Sequence, residues 1–265
     1  TDKAEVFQSS PIDSNRIAPS DLDTGNSLVL MTNVLIGVGS VALLTGAIMW
    51  TMDDGGVART AADRIREFAK AQQPFFLAVG FVKPHLPFIA PKKYWDLYDS
   101  SSLPLAPFQQ LPSQSPHDLG FYSHSGELRH YSNVPKTGPI PEPLQRELVH
   151  GYAACVSYID AQVGLLMRTL EECGIADNTI ICFWGDHGFH LGEHGHWGKV
   201  TNYEDATRSP LIITAPGFVG GGQVTALTEF LDLYPTLCDL AGLPIPAHVE
   251  GKSLVPFLRG DDVHL

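Results

Sequence analysis

The sequence predicts an α/β fold of the doubly wound kind, a mostly parallel sheet with helices on both faces, present here in incomplete form. Three observations predict it. Short apolar runs, "FFLAVGF", "NTIICFW" and "PLIITAPG", alternate with stretches of helical period, which is the element order of such folds. The run "NTIICFW" is continuously β-branched and aromatic, as expected of a strand covered on both faces of a parallel sheet. The loops "KPHLP" and "GDHGFH" both follow strand runs at their C-terminal ends, where open α/β sheets bind ligands.

In chain order, residues 1–52 read as a separate N-terminal segment and residues 53–265 as the core fragment. Between Thr24 and Met52 there is no charged residue, a length sufficient for a bilayer-spanning helix. Gly37, Gly39 and the interspersed Thr32, Asn33, Ser40 and Thr45 weaken a helix, and a buried hairpin stays open as the other reading. In "VARTAADRIREFAKA", Val57, Ala61, Ile65 and Phe68 share one helical face, and Pro74 ends the pattern. "FFLAVGF" then reads as a short buried strand and "VKPHLPF" as a proline-punctuated loop. Residues 99–141 lack periodicity and read as an irregular excursion. From Pro143, Leu148, Tyr152, Cys155, Ile159, Val163, Leu166 and Leu170 recur at helical steps, with Gly174 as the C-terminal stop. Asp232 is placed to cap "LYPTLCDLAG", and Ser253 to cap "LVPFLRG".

The composition, 44% apolar and 17% charged, is that of a globular chain. Seventeen Lys+Arg against 29 Asp+Glu give a net charge of −12, which argues against sequence-independent nucleic-acid binding, since that needs clustered cations. The four cysteines form no CxxC pair, and Cys155 and Cys182 read as small buried residues. The chain opens on Thr1 without a secretory leader pattern, and both ends read as cut.

Two loops carry the chemistry. Asp186 and His187 offer a hard oxygen ligand beside an imidazole; the plainer reading is a turn-capping aspartate with a hydrogen-bonded histidine. His187, His190, His194 and His196 do not have HExxH spacing. Lys199 could neutralise an anionic oxygen as a point charge, or be an ordinary surface lysine. His85, held between Pro84 and Pro87, could donate to a leaving group or oxyanion, with a backbone-bonded loop histidine as the alternative.

At the level of whole blocks, "PFFLAVGFVKPHLPFIAPKKYWDLYD", "GPIPEPLQRELVHGYAACVSYIDAQVG", "NTIICFWGDHGFHLGEHGHWGKVTNYEDATRSPLIITAPG" and "LDLYPTLCDLAGLPIPAHVEGKSLVPFL" resemble successive segments of the type I sulfatases, with the likeness strongest to the iduronate-2-sulfatase branch. The resemblance implies an alkaline-phosphatase/sulfatase-like fold and sulfate ester hydrolysis on a sulfated carbohydrate, one containing a uronate, or on another small sulfate ester. It implies a calcium ion held in part by Asp186 and His187, and sulfate contacts from Lys199 and His85, with His85 assisting departure of the ester oxygen. In this picture His190, His194 and His196 are not metal ligands but line the substrate mouth or brace the loop, with His194 counted among the substrate contacts. By the same resemblance the location is periplasmic, extracellular or lysosomal.

Departures from the family pattern accompany the match. The family's nucleophile is a formylglycine made from a C/S-x-P/A-x-R motif, and no such motif occurs within these 265 residues. The paired aspartates that complete the calcium shell are also missing, and Val200 stands where relatives carry a polar or aromatic residue. The expectation is therefore an enzyme family member that shows no turnover as this chain alone. The alternatives are a phosphoester or phosphonate hydrolase of the same superfamily, and a non-catalytic remnant tethered to a membrane through residues 24–52.

Overall fold

The computed structural model describes residues 30–33, 45–48, 54–110 and 126–260. The chain divides into two compact units, Thr1–Cys173 with His187–Arg208, and Gly174–Asp186 with Ser209–Leu265.

In the first unit, strands β1 (Leu30–Asn33) and β2 (Thr45–Ile48) pair antiparallel, with Leu30 opposite Ile48. The apolar segment 24–52 thus contains two extended stretches where a single spanning helix was one of the readings; its remaining residues lie outside those described. Among the described residues, no helix is long and apolar enough to cross a membrane.

Helix α1 (Asp54–Ala71) buries Val57, Ala58, Ala61, Ala62 and Ile65, the predicted stripe with two alanines added. Alanines on this face let α1 pack against helix α2 (Glu142–Glu172). Phe68 is only half-buried and stacks on Phe75 with ring centroids 4.9 Å apart. Helix α2 begins with Pro141 at the N-cap, needs no backbone donor there, and ends at Cys173, after which Gly174 takes φ +68°. That left-handed stop is the one the sequence predicts, and glycine adopts it without a Cβ penalty.

The core of this unit lies between α2 and the proline-rich loop that follows α1. Phe88, Leu128, Leu148, Ala154 and Cys155 are essentially inaccessible, joined by Leu86, Tyr94, Val134, Ile140 and Trp197. Phe88 meets Tyr152 and Phe189 edge-on at 5.4 and 5.8 Å. The excursion over 99–141 is irregular as expected where it is described, yet Leu128, Val134 and Ile140 anchor it to the core; residues 111–125 lie outside those described.

Strands β3 (Ile181–Trp184) and β4 (Leu211–Thr214) belong to the second unit and pair antiparallel, Ile181 opposite Thr214 and Trp184 opposite Leu211. Two expectations are corrected here. This pair is antiparallel, an arrangement a mostly parallel sheet admits at an edge, and its faces are not both covered, since Trp184 is 46% and Ile212 61% exposed. Residues 75–81, read as a strand, form none; apolar character alone does not make a ladder. Cys155 is buried as predicted, whereas Cys182 is only half-buried.

Asp232 stands at the N-cap position of helix α3 (Leu233–Leu240), but contrary to expectation its carboxylate makes no capping bond to that helix. Its two oxygens accept from the backbone N–H of Glu229 and of Lys252, both at 2.8 Å. Thr236 Oγ1 donates to the Asp232 carbonyl at 2.6 Å and accepts from Leu254 N at 2.8 Å. Ser253 Oγ accepts from Val255 N at 3.3 Å, at the start of the helical turn Val255–Leu258, and donates to Asp239.

Candidate functional site

The loop carrying His85 is fixed from beneath by a buried carboxylate. Asp54, the first residue of α1, accepts from the backbone N–H of Val82 at 2.7 Å and of Lys83 at 3.3 Å. Lys83 turns its Nζ back into the loop, donating to the carbonyls of Pro87 at 2.8 Å and His85 at 3.2 Å. Burial holds the Lys83 ammonium below the usual lysine range, against the opposing pull of Cys155 and Asp54. The neighbouring Cys155 thiol is pushed up to about 12 by burial, which makes it an inert packing residue. Lys83 therefore braces the loop through its carbonyls, and the His85 ring is left to other partners.

The His85 Nδ1 donates to the Leu86 carbonyl at 2.8 Å, and Nε2 lies 3.1 Å from Glu127 Oε1. With Nδ1–H given to a carbonyl, Nε2 donates to Glu127 in the imidazolium form. The second oxygen of Glu127 lies 3.8 Å from Lys199 Nζ. His85 and Lys199, remote in sequence, are thereby brought to the two oxygens of one carboxylate. Glu127 also adds to the upward displacement of the Tyr131 hydroxyl, which burial chiefly causes.

The histidine-rich loop delivers Lys199 through backbone clamps. Gly188 N donates to the Ala206 carbonyl at 2.7 Å, and a Cβ at this position would overlap the Asp205 carbonyl oxygen, so only glycine fits. His190 N donates to the Gly198 carbonyl at 2.7 Å, and Trp197 is buried in the core just before Lys199. The histidines form a ring cluster: His190 is 5.0 Å from His196 and 6.1 Å from His194, and His194 leans on Tyr203 at 4.7 Å. Burial lowers the pKa of His190 and takes His196 down to about 4, with the neighbouring histidines adding to the latter. The structure thus places His194, read as a substrate contact, within this cluster, with φ +58° and its N–H donating to the Phe108 carbonyl at 2.6 Å.

For a metal, two sets of residues come into question. Asp186 and His187 fall on either side of the division between the units. His187 Nδ1 donates to the Gly188 carbonyl at 2.7 Å, which in the neutral ring leaves the lone pair on Nε2, the tautomer suited to a ligand. Calcium takes six to eight oxygens, of which one carboxylate supplies a small part and an imidazole none, so Asp186 and His187 do not by themselves make a calcium shell. Among the described residues, His190, Glu193 and Asp205 hold ligand atoms within 4.8 Å of one another. Glu193 Oε2 accepts from Leu191 N at 2.6 Å and His190 Nε2 meets Thr201 Oγ1 at 2.8 Å, so these groups are already engaged in bracing the loop.

Sequence reasoning missed Glu127 and Asp54. Glu127 sits in the non-periodic stretch, where nothing in the spacing ties it to His85; Asp54 shows only as an acidic helix start, a signal shared with many first-turn carboxylates.

Comparison with known proteins agrees with the motif pattern. A family model described as Sulfatase matches residues 8–243. The chain is 36% identical over 255 residues to iduronate 2-sulfatase of Mus musculus, covering 80% of this chain and 46% of that protein. It is 36% identical over 196 residues to choline-sulfatase of Rhizobium meliloti, covering 72% of this chain and 36% of that one. Among solved structures, the phosphonate monoester hydrolase of Silicibacter pomeroyi superposes with a TM-score of 0.66 at 27% identity, covering 99% of this chain and 48% of that chain. The chain spans about half, or less, of the length of the curated relatives it matches. On the family match, these identities and this superposition, the chain belongs to the sulfatase family and carries its α/β, alkaline-phosphatase-like fold.

Proposed function

We propose that the chain supplies the anion-contacting side of a sulfate ester hydrolase site, acting on a sulfated, uronate-containing sugar, in a periplasmic, extracellular or lysosomal setting. The observation that supports this most is the meeting of His85 and Lys199 at a single carboxylate. A sulfuryl group presents negative oxygens, and as its ester bond breaks, charge develops on the leaving oxygen. Lys199 would hold a peripheral sulfuryl oxygen as a point charge. His85, donating from Nε2 while Leu86 fixes Nδ1, would hand its proton to the leaving oxygen. The loop brace from Asp54 and Lys83 sets where that proton is presented. In this reading Asp186 and His187 would contribute ligands to a calcium ion that would supply Lewis acidity, and a formylglycine hydrate would supply the nucleophile, though no C/S-x-P/A-x-R motif lies within these residues.

The test uses this chain. A sulfated monosaccharide titrated by calorimetry is expected to bind, with Lys199→Ala and His85→Ala each weakening it about tenfold, in line with the removal of one charge-assisted hydrogen bond. The chain alone is expected to show no turnover of a chromogenic aryl sulfate. Binding insensitive to both substitutions, or turnover abolished by His85→Ala, would overturn the reading.

A second reading is phosphonate or phosphoester hydrolysis, favoured by the superposition on a phosphonate monoester hydrolase. Lys199 and His85 suit either anion, so the two are separated by competition: a phosphonate monoester that displaces the sulfate ester at lower concentration would favour the second.

A further inference from the structure

Glu127 has no part in the sulfuryl chemistry assigned to its two neighbours, yet it occupies both of them. Its side chain is about 38% exposed, His85's 43% and Lys199's 25%, so the three lie at a surface that a ligand can reach. The carboxylate offers one oxygen to the His85 ring and the other to the Lys199 ammonium, at 3.1 Å and 3.8 Å. A carboxylate and a sulfuryl group present the same recognition element here, two anionic oxygens on one small atom. A ligand that places sulfuryl oxygens against His85 Nε2 and Lys199 Nζ must take the position that Glu127 holds.

We infer that Glu127 is an internal ligand of the anion site and its specificity-determining residue: its carboxylate competes for His85 and Lys199, so small free anions are held poorly and only ligands with further contacts displace it. The inference rests on the reading of His85 and Lys199 as sulfuryl contacts. Its chemical consequence concerns the two ends of an ester hydrolysis. The ester arrives with a sugar, whose own contacts help to displace the carboxylate. The product, inorganic sulfate, has no such contacts, and Glu127 re-enters behind it. A fixed negative group at this position also disfavours a second anionic substituent next to the sulfated oxygen and favours hydroxyl or ammonium donors there.

Inorganic sulfate is the probe. The chain and its Glu127→Gln and Glu127→Ala variants are titrated with sulfate at constant ionic strength, following the His85 ring resonances by NMR, with chloride as the control anion. Each variant is expected to bind sulfate more tightly than the parent, by roughly two- to thirtyfold, the span that two partly exposed ion pairs supply together. Glu127→Asp keeps the charge on a shorter arm and is expected to fall between. Sulfate affinity unchanged or weakened in Glu127→Gln and Glu127→Ala would overturn the inference. Lys199→Ala introduced into Glu127→Gln separates the two levels: if the gain in sulfate affinity survives it, Lys199 is no sulfate contact and the functional reading fails on its own account.

Discussion

Lowering the pH should unfasten the histidine loop before the carboxylates of the protein begin to titrate in number. His196 is buried, and burial together with His190 and His194 takes its pKa to about 4, against 6.5 in an unfolded chain. Between these values the unfolded state binds a proton that the folded state refuses, so stability rises with pH across the window. The contribution is fully present above pH 6.5 and is lost as the pH falls towards 4. A difference of about 2.5 pKa units amounts to about 3 kcal/mol over the whole window, of which about 2 kcal/mol is gone by pH 5. His190, also lowered by burial, acts in the same direction, tempered by the charges of Asp205 and Glu193. The assay is urea unfolding at pH 7 and pH 5, followed by the fluorescence of the four tryptophans, Trp197 being buried beside the loop. In His196→Gln, which cannot titrate, the loss between the two pH values should shrink by about 2 kcal/mol, whatever the variant's absolute stability. A variant that keeps the parent's full pH dependence would show that His196 does not carry the effect and that the cluster is not buried as described.

Two substitutions probe the supports of the site. Gly188→Ala drives a methyl into the Asp205 carbonyl and should cost about 1–3 kcal/mol, the usual range for overpacking, with sulfated-sugar affinity falling as Lys199 loses its register; thermal unfolding checks the first effect and calorimetry the second. Asp54→Asn removes the charged acceptor of Val82 N–H and Lys83 N–H and should cost about 1.5–3 kcal/mol, read as a lowered melting temperature together with a weaker anion response at His85.

The sequence reveals the parts of this structure that local physics decides. Helix α1 follows from Val57, Ala61 and Ile65 at helical spacing, and α2 from Leu148, Cys155, Ile159 and Leu170 closing on Gly174. The strands of the second unit are legible as runs but not in their pairing, because the direction in which "PLIITAPG" meets "NTIICFW" is set by the loop between them and not by either run. The failure at 75–81 has the same root: a strand is a relation to a neighbour, and composition records only one party to it. At the site, His85 and Lys199 are visible as residues because their loops carry prolines, glycines and a motif. Their partner is not, since Glu127 sits in a stretch with no period and acquires its meaning only from where the chain returns.

The two halves of the site are held by different means, which gives separate handles on them. His85 depends on a buried carboxylate and a half-buried ammonium, Asp54 and Lys83, whose bonds all go to backbone groups of one loop. Lys199 depends on a glycine clamp, a buried tryptophan and neutral histidines. Mild acid should therefore release Lys199 while the His85 loop stays in place, because the brace beneath that loop contains no histidine, whereas the supports of Lys199 include His190 and His196, both buried with lowered pKa. If anion binding at pH 5 were lost through His85 first, with the ring cluster still ordered by NMR, the supports would have been assigned to the wrong halves.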